Sequence, residues 1–292
     1  MKTRLISGTV YVLLLIASYI LKIFVHDFFF DGLIYAFALL GVFELNRALK
    51  DKTTKAERAC STAFALTAIP ATAVAEYFFG AGLFTACVAL FAYGVCVMAL
   101  LVFAYEKTSI ESVGVAMLSG VYPTALLCVM TLVNHAEIPA LIGFNSNLFI
   151  LLIFVISPIA DSFAYLFGCG LGRKFPKKMS PKISPNKTVI GGIGGLFGGI
   201  VSACAVYFIY NAVAGSFADM QIWLPVYLGV GLFVALFTAF GDLIESAIKR
   251  KVGVKDMGKI MPGHGGALDR IDGSMYAASV IYCCYLIVGA LV

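Results

Sequence analysis

The chain has 292 residues, of which 61% are hydrophobic and 13% charged, and its mean hydropathy is +0.96. A single soluble core cannot bury that much apolar surface, and recurring apolar segments of about 20 residues exclude a disordered chain and a disulfide-stapled secreted scaffold. The formal net charge of +5 is informative only through the positions of the basic residues. The composition therefore predicts a protein that crosses the membrane several times.

Nine apolar windows are long enough to cross the hydrocarbon layer as helices. We expect an all-α, polytopic integral membrane protein with about nine transmembrane helices. Residues 1–135 are expected to form an N-terminal group of helices, and residues 136–292 a C-terminal functional region. The first window is interpreted as part of the fold because no small-residue cleavage site follows it. The predicted spans are residues 5–24, 28–45, 59–79, 82–105, 113–133, 147–168, 189–212, 222–246 and 274–292.

The basic residues are distributed unevenly between the two sides of the membrane. With nine spans, the N-terminal tail and every second loop lie on one side, and all Lys and Arg residues except Lys22 fall there. Because cytoplasmic segments are rich in Lys and Arg, this pattern predicts a cytoplasmic N terminus and an external C terminus. The 46–58 loop, NRALKDKTTKAER, is interpreted as a solvated charge cluster that fixes this topology.

Two loops on the basic side differ from the others in length and chemistry. They are residues 169–188, CGLGRKFPKKMSPKISPNKT, and residues 247–273, AIKRKVGVKDMGKIMPGHGGALDRIDG. Pro181 and Pro185 stiffen the second half of the first loop, so that less entropy is lost when its donors bind a ligand. Those donors are Lys182, Ser184, Asn186, Lys187 and Thr188. The glycines that follow, GGIGG from residue 191 and GG from residue 198, lack the phosphate-loop pattern and are interpreted as helix packing.

Carboxylates within a span are costly, at least about 2.5 kcal/mol at mid-bilayer, and each needs a physical reason. Asp31, Glu44 and Glu76 lie near predicted span ends, where we expect their side chains to reach the interface, and they are assigned no chemistry. Asp161 lies several residues inside the sixth window and is expected to face a polar cavity; pairing with a basic or hydroxyl group is the alternative. The six such residues are Asp31, Glu44, Glu76, Asp161, Asp242 and Glu245.

Asp242 begins a polar stripe at the end of the eighth window. Ser246, Lys249 and Arg250 follow it at helical spacings, so one helix face has a carboxylate followed by cations. A helix that starts near Trp223 places Asp242 about 28 Å further along, close to the basic side of the membrane. That depth suits a group reached from both water and lipid headgroups.

The glycine-rich segment MPGHGG begins the last basic motif. Gly263, Gly265 and Gly266 allow close backbone approach and amide donation to anionic oxygens. His264 has two interpretations of equal weight: a hydrogen bond within the loop, or substrate binding and proton transfer.

The segment ALDRIDG that follows adds two carboxylates around an arginine. Asp269 and Asp272, three residues apart, can turn to one face and supply hard oxygen ligands for Mg²⁺, and Arg270 can hold a phosphate. Acidic ligands, glycines and basic side chains on two loops at one membrane face are typical of transfer between phosphates.

In order and spacing, these motifs resemble those of the phosphatidate cytidylyltransferase family, the CDP-diacylglycerol synthases. Residues 246–272, SAIKRKVGVKDMGKIMPGHGGALDRID, match the family signature, and DSFAYLFG from Asp161 and KISPNKT from Lys182 agree with two further blocks. The motif-bearing resemblance covers residues 157–273. It implies transfer of a cytidylyl group from CTP to phosphatidate, with CDP-diacylglycerol and pyrophosphate as products.

The resemblance also implies the roles of individual residues. Mg²⁺ is the expected cofactor, with a second cation as an alternative, and its ligands are expected to be Asp242 and Asp269, with Asp272 as a further candidate. The expected catalytic residues are Asp161, His264 and Asp269. The expected substrate-binding residues are Lys182, Ser184, Asn186, Lys187, Thr188, Ser246, Lys249, Arg250, Gly265, Gly266 and Arg270.

Two positions depart from the family pattern, which usually has glutamate where this chain has Ile190 and serine where it has Gly273. Both are left outside the predicted site. Expected partners are CTP, phosphatidate and membrane lipids but not nucleic acid, with a homodimer as one option. The expected location is the cell membrane, with the active site at the cytoplasmic face.

Two other functions fit part of the pattern. An ion-coupled transporter would also use intramembrane carboxylates such as Asp161 and Asp242, although the sequence has no convincing repeat of two halves. A lipid-surface anchor would use the basic loops alone and would need neither the carboxylates nor the glycine-rich turn.

Overall fold

The computed structural model describes residues 2–138, 145–214, 220–263 and 265–291; for residues 2–5 and 214 it describes the backbone only. These residues form α-helices joined by short connections, one π-helical turn, one 3₁₀ turn and one small antiparallel sheet. The helices are α1 (Lys2–Phe24), α2 (Phe28–Ala48), α3 (Lys55–Phe79), α4 (Gly82–Phe103), α5 (Ile110–Gly120), α6 (Leu126–Asn134), α7 (Ser146–Leu171), α8 (Val189–Ala214), α9 (Met220–Val252) and α10 (Leu268–Leu291). The strands are β1 (Lys178–Ser180) and β2 (Ser184–Thr188).

Nine segments of the described chain are helical, long and apolar enough to cross a membrane. Helices α5 and α6 count as one of them because the π-helical turn Val121–Ala125, which contains Pro123, joins them into a continuous span from Ile110 to Asn134. Each segment overlaps one predicted window. The expectation of an all-α polytopic membrane protein is confirmed, whereas the orientation of the termini stays a prediction.

The two long loops singled out by the sequence are more ordered than the sequence suggests. Residues 178–188 form a two-stranded hairpin in which Lys178 pairs with Thr188 and Ser180 with Ser184. Helix α9 continues to Val252 and α10 begins at Leu268, so the connection between them is only residues 253–267.

The chain divides into two compact units. Unit 1 consists of residues 1–135 and 251–271, and unit 2 of residues 136–250 and 272–292. The glycine-rich connection therefore belongs to unit 1. The expected division at residues 135 and 136 stays a prediction.

Two linked helix caps organise unit 1. Thr54 and Glu57 form a reciprocal capping box at the start of α3, and Ser109 and Ser112 do the same for α5. Glu57 is fully buried, and its Oε1 accepts a hydrogen bond of 2.6 Å from the Ser112 hydroxyl. One carboxylate thus joins the first turns of two helices.

Helix α1 is the least buried span of the described chain, with 6% of its apolar window covered. The Ser7 hydroxyl donates to the Pro262 carbonyl at 2.9 Å, and the Tyr11 hydroxyl to the Arg270 carbonyl at 3.3 Å. Two hydrogen bonds therefore connect this helix to the segment around the glycine-rich connection.

Close packing of α7 against α8 dominates unit 2. A Cβ on Gly191 would lie 2.9 Å from the Ala164 carbonyl oxygen, and one on Gly195 would lie 3.3 Å from that of Ala160. Side chains at these positions would push the helices apart. The interpretation as helix packing is confirmed for Gly191 and Gly195, whereas a Cβ on Gly192 would meet Met179 of β1.

Two carboxylates near span ends do not reach an interface, and that expectation is wrong for them. Asp31 and Glu44 are 5% and 2% exposed. Asp31 accepts a hydrogen bond from the Asn134 amide at 2.9 Å and contacts the His135 ring at 2.7 Å. Hydrogen-bond partners within unit 1 satisfy both side chains, which sequence position alone does not reveal.

Candidate active site

Three carboxylates of unit 2 lie together, Asp242 and Glu245 on α9 and Asp272 on α10. One oxygen from each lies within 4.8 Å of the others, and this is the one such group of three in the described residues. Asp242 and Glu245 share a helix face because they are three residues apart. Glu245 is fully buried, whereas Asp242 and Asp272 are partly accessible.

Gly241 allows the two helices to approach at this point. A Cβ there would lie 2.8 Å from the Asp272 carbonyl oxygen and against the Tyr276 ring. A glycine is therefore needed before Asp242, because it lets the backbone of α10 come close enough to place Asp272 beside Asp242 and Glu245.

Two lysines compensate the negative charge of this group. Lys187 of β2 forms an ion pair with Asp242, and the Lys249 ammonium lies 2.7 Å from Glu245 Oε2. Burial lowers the pKa of Lys187, while the charges of Asp161 and Asp272 raise it. Asp161 thus interacts with the same lysine that contacts Asp242, which is consistent with a polar environment for this intramembrane carboxylate.

The hairpin places Lys187 beside α9. Strand β2 leads directly into α8, and Thr188 Oγ1 accepts the Gly191 N–H at 3.1 Å as a cap of that helix. The Arg250 side chain donates to the Ile183 carbonyl at 3.3 Å, which holds the hairpin turn near the end of α9. Lys182, in the same turn, is exposed.

In unit 1, Asp269 organises the glycine-rich connection. Its Oδ2 accepts the N–H of Gly266 at 2.7 Å and of Met257 at 3.0 Å. Gly263 and Gly265 have φ values of 81° and 90°, a left-handed conformation that strongly favours glycine. Because the Gly266 amide donates to Asp269, it is directed towards the first turn of α10 and not towards a ligand.

The predicted site residues thus fall into two sets, each described within its own unit. Unit 2 contains Asp161, Lys182, Ser184, Asn186, Lys187, Thr188, Asp242, Ser246, Lys249, Arg250 and Asp272. Unit 1 contains Gly265, Gly266, Asp269 and Arg270. His264 lies outside the described residues. The roles assigned to these residues stay predictions.

Sequence reasoning missed the grouping of Glu245 with Asp242 and Asp272. Glu245 was counted among the intramembrane carboxylates but received no role, although its spacing of three residues from Asp242 indicates a shared helix face. The structure brings it together with Asp242 and Asp272, with Lys249 one turn further along α9.

The donor set fits a hard divalent cation. Carboxylate oxygens are the ligands that Mg²⁺ prefers, and Asp242, Glu245 and Asp272 offer three within 4.8 Å of one another. Asp242 and Asp272 were expected as ligands, and Glu245 is an additional candidate.

A family comparison covers almost the whole chain. A model of the cytidylyltransferase family matches residues 2–288. The chain belongs to this family. The resemblance inferred from the motifs is therefore confirmed.

Individual relatives match about half of the chain. The phosphatidate cytidylyltransferase of Staphylococcus aureus strain COL is 43% identical over 133 residues, which are 46% of this chain and 47% of that protein. That of Thermotoga maritima is 40% identical over 143 residues, 49% of this chain and 50% of that protein. The chain spans about half the length of the curated relatives it matches.

Proposed function

We propose that the protein transfers the cytidylyl group of CTP to phosphatidate and releases pyrophosphate. The observation that supports this most directly is the group of Asp242, Glu245 and Asp272 with Lys187 and Lys249 in contact, in a member of the cytidylyltransferase family. The names of the relatives supply the lipid substrate. The family also favours a transferase over the transporter and the lipid-surface anchor.

In this reaction a phosphate oxygen of phosphatidate attacks the α-phosphorus of CTP. The bond from the α-phosphorus to the bridging oxygen breaks, and pyrophosphate leaves with that electron pair. No covalent intermediate with the protein is needed, so positioning and charge neutralisation supply most of the catalysis.

Mg²⁺ bound by Asp242, Glu245 and Asp272 would neutralise phosphate charge and orient the reacting oxygens. The side chains of the chain itself have separate tasks. Lys187 and Lys249 offer ammonium groups to phosphate oxygens, and Arg250 offers a planar fork that matches a phosphate. The charge of Asp161 raises the pKa of Lys187 and so opposes the effect of burial, which lowers it.

The remaining roles rest on the family resemblance. Asp269 is proposed as a further metal ligand or catalytic group, and His264 as a group that orients the substrate or transfers a proton. We further propose the cell membrane as the location, with the site at the cytoplasmic face, because the basic residues gather on that side. Membrane lipids, a second cation and a homodimer belong to the same proposal.

The test is a turnover assay with purified protein in detergent. Labelled CTP with the label at the α-phosphate, phosphatidate and Mg²⁺ are supplied, and label in the lipid fraction is measured. We expect lipid label that EDTA and Asp242→Asn abolish, whereas Asp51→Asn, at an exposed carboxylate of the 46–58 loop, retains it. Folded protein that labels no lipid, whatever lipid phosphate or nucleotide is supplied, would overturn the proposal.

A further inference from the structure

Glu44, near the end of α2, binds the start of a helix more than 200 residues away. Its Oε1 accepts the N–H of Ala267 and its Oε2 accepts the N–H of Leu268, each at 3.0 Å. The side chain is buried, so these two amides take the place of water around the charge. A carboxylate at a helix N-terminus satisfies amides that have no partner within the helix.

The connection 253–267 is shaped around this carboxylate. A Cβ on Gly258 or on Gly266 would collide with the carboxylate of Glu44. Glycine at these two positions therefore makes room for a charged side chain and not only for a turn. The contacts all lie within unit 1.

Asp269 holds the same connection by other amides. Together, Glu44 and Asp269 accept the N–H groups of Met257, Gly266, Ala267 and Leu268. The described residues of 253–267 form no helix or strand, and one backbone bridge joins Met261 to Gly265. The two carboxylates therefore supply acceptors that regular structure would otherwise provide.

We propose that Glu44 is a positioning residue for nucleotide binding. It fixes the connection 253–267 and the first turn of α10, which contains Asp269 and Arg270, in the conformation that receives the phosphates. This inference rests on the proposed function. Glu44 acts through the backbone it holds and not by touching the substrate.

The first experiment compares Glu44→Gln with Glu76→Gln. Both residues are span-end carboxylates that accept a backbone N–H at the start of a later helix, since Glu76 Oε2 accepts the Gly82 N–H at 2.7 Å. The glutamine in place of Glu44 would turn an NH₂ group towards an amide donor. We expect the KM for CTP to rise about tenfold, as for the loss of one charged hydrogen bond, with a smaller change in kcat, and Glu76→Gln to match the wild type.

The second experiment does not depend on activity. Lys255 and Lys259 are exposed within the connection, so limited trypsin digestion reports on its order. We expect Glu44→Gln to be cut at these lysines about tenfold faster than the wild type, since it loses about one charged hydrogen bond, and Glu76→Gln at the wild-type rate. If Glu44→Gln does not fold, Gly258→Ala places a Cβ against the same carboxylate and should give the same two changes.

The outcomes separate the two proposals. Unchanged cleavage in Glu44→Gln would overturn the positioning role, and faster cleavage with an unchanged KM would overturn its link to the nucleotide. A wild-type protein that transfers no label would overturn the proposed function and the nucleotide role together, while the cleavage rates still decide whether Glu44 holds the connection.

Discussion

Lys187, the fourth residue of strand β2, forms an ion pair with Asp242 of helix α9. The pair joins the proline-stiffened hairpin to the carboxylate group. Each side chain is about one-third exposed, so an incoming phosphate can compete for the lysine. The hairpin is therefore both a support of the site and a source of positive charge.

Replacement of Lys187 by Met is expected to lower kcat/KM for CTP about 100-fold, because a charged contact to the phosphates is lost. Initial rates with labelled CTP measure this value. Lys174→Met, which removes an exposed lysine before the hairpin, is the control and should match the wild type. Equal rates in the two variants would contradict the phosphate-binding role of Lys187.

Glu245→Gln is expected to raise the Mg²⁺ concentration needed for half-maximal transfer at least about tenfold. It removes one of the three carboxylates that we propose as metal ligands. A Mg²⁺ titration at saturating CTP and phosphatidate measures this value. Glu106→Gln changes an exposed glutamate and provides the comparison. An unaltered Mg²⁺ requirement in Glu245→Gln would contradict the role of Glu245 as a metal ligand and leave it only as the ion-pair partner of Lys249.

Gly273→Ser introduces the residue that the family usually has, and we expect it to destabilise this chain by about 1–3 kcal/mol through overpacking. A Cβ on Gly273 would lie 2.7 Å from Thr238 Cγ2 and 3.4 Å from Ser157 Oγ. Thermal unfolding in detergent measures the loss. Adding Thr238→Ser, which deletes the offending methyl and keeps the hydroxyl that contacts Ser157, should restore most of the stability. No recovery in the double variant would show that Thr238 is not the obstacle.

Glu57→Gln is expected to lower the free energy of unfolding by about 2 kcal/mol, because the buried carboxylate accepts hydrogen bonds from both the Thr54 amide and the Ser112 hydroxyl. Thermal unfolding measures this loss. Glu111→Gln is the control, since that glutamate lies in the first turn of α5 but is exposed. A loss no larger than that of the control would contradict the role of Glu57 as the link between two caps.

The spans could be predicted from sequence because hydropathy is averaged over about 20 residues, so small errors cancel. Helix ends were less accurate. The eighth window was predicted to end at residue 246, although the helical spacing of Lys249 and Arg250 already pointed further, and α9 continues to Val252. The hairpin was missed because its two prolines favour a loop. Both of its strands are edge strands, where the missing backbone N–H of Pro185 breaks no ladder hydrogen bond.

Contacts between distant parts of the chain were beyond the sequence patterns. The separation of Asp242 and Glu245 is local, and their shared face could have been inferred from spacing. The contact of Glu44 with Ala267 and Leu268 has no local signal in the sequence. Nothing in the residues around Glu44, FELNR from residue 43 to 47, specifies which amides it binds. Position near a span end suggested an exposed side chain, and the tertiary fold buried it instead.

The hydrogen bonds from α1 bear on what removal of the first segment of the chain would change in the fold. An apolar segment behind two basic residues has the general form of a secretory leader, which a peptidase removes. Here Ser7 and Tyr11 donate to the carbonyls of Pro262 and Arg270, so removing the segment would break two bonds to the region that Glu44 and Asp269 organise. A variant shortened by this helix would keep eight segments of the described chain that are long and apolar enough to cross a membrane, but would lose a support of the connection 253–267.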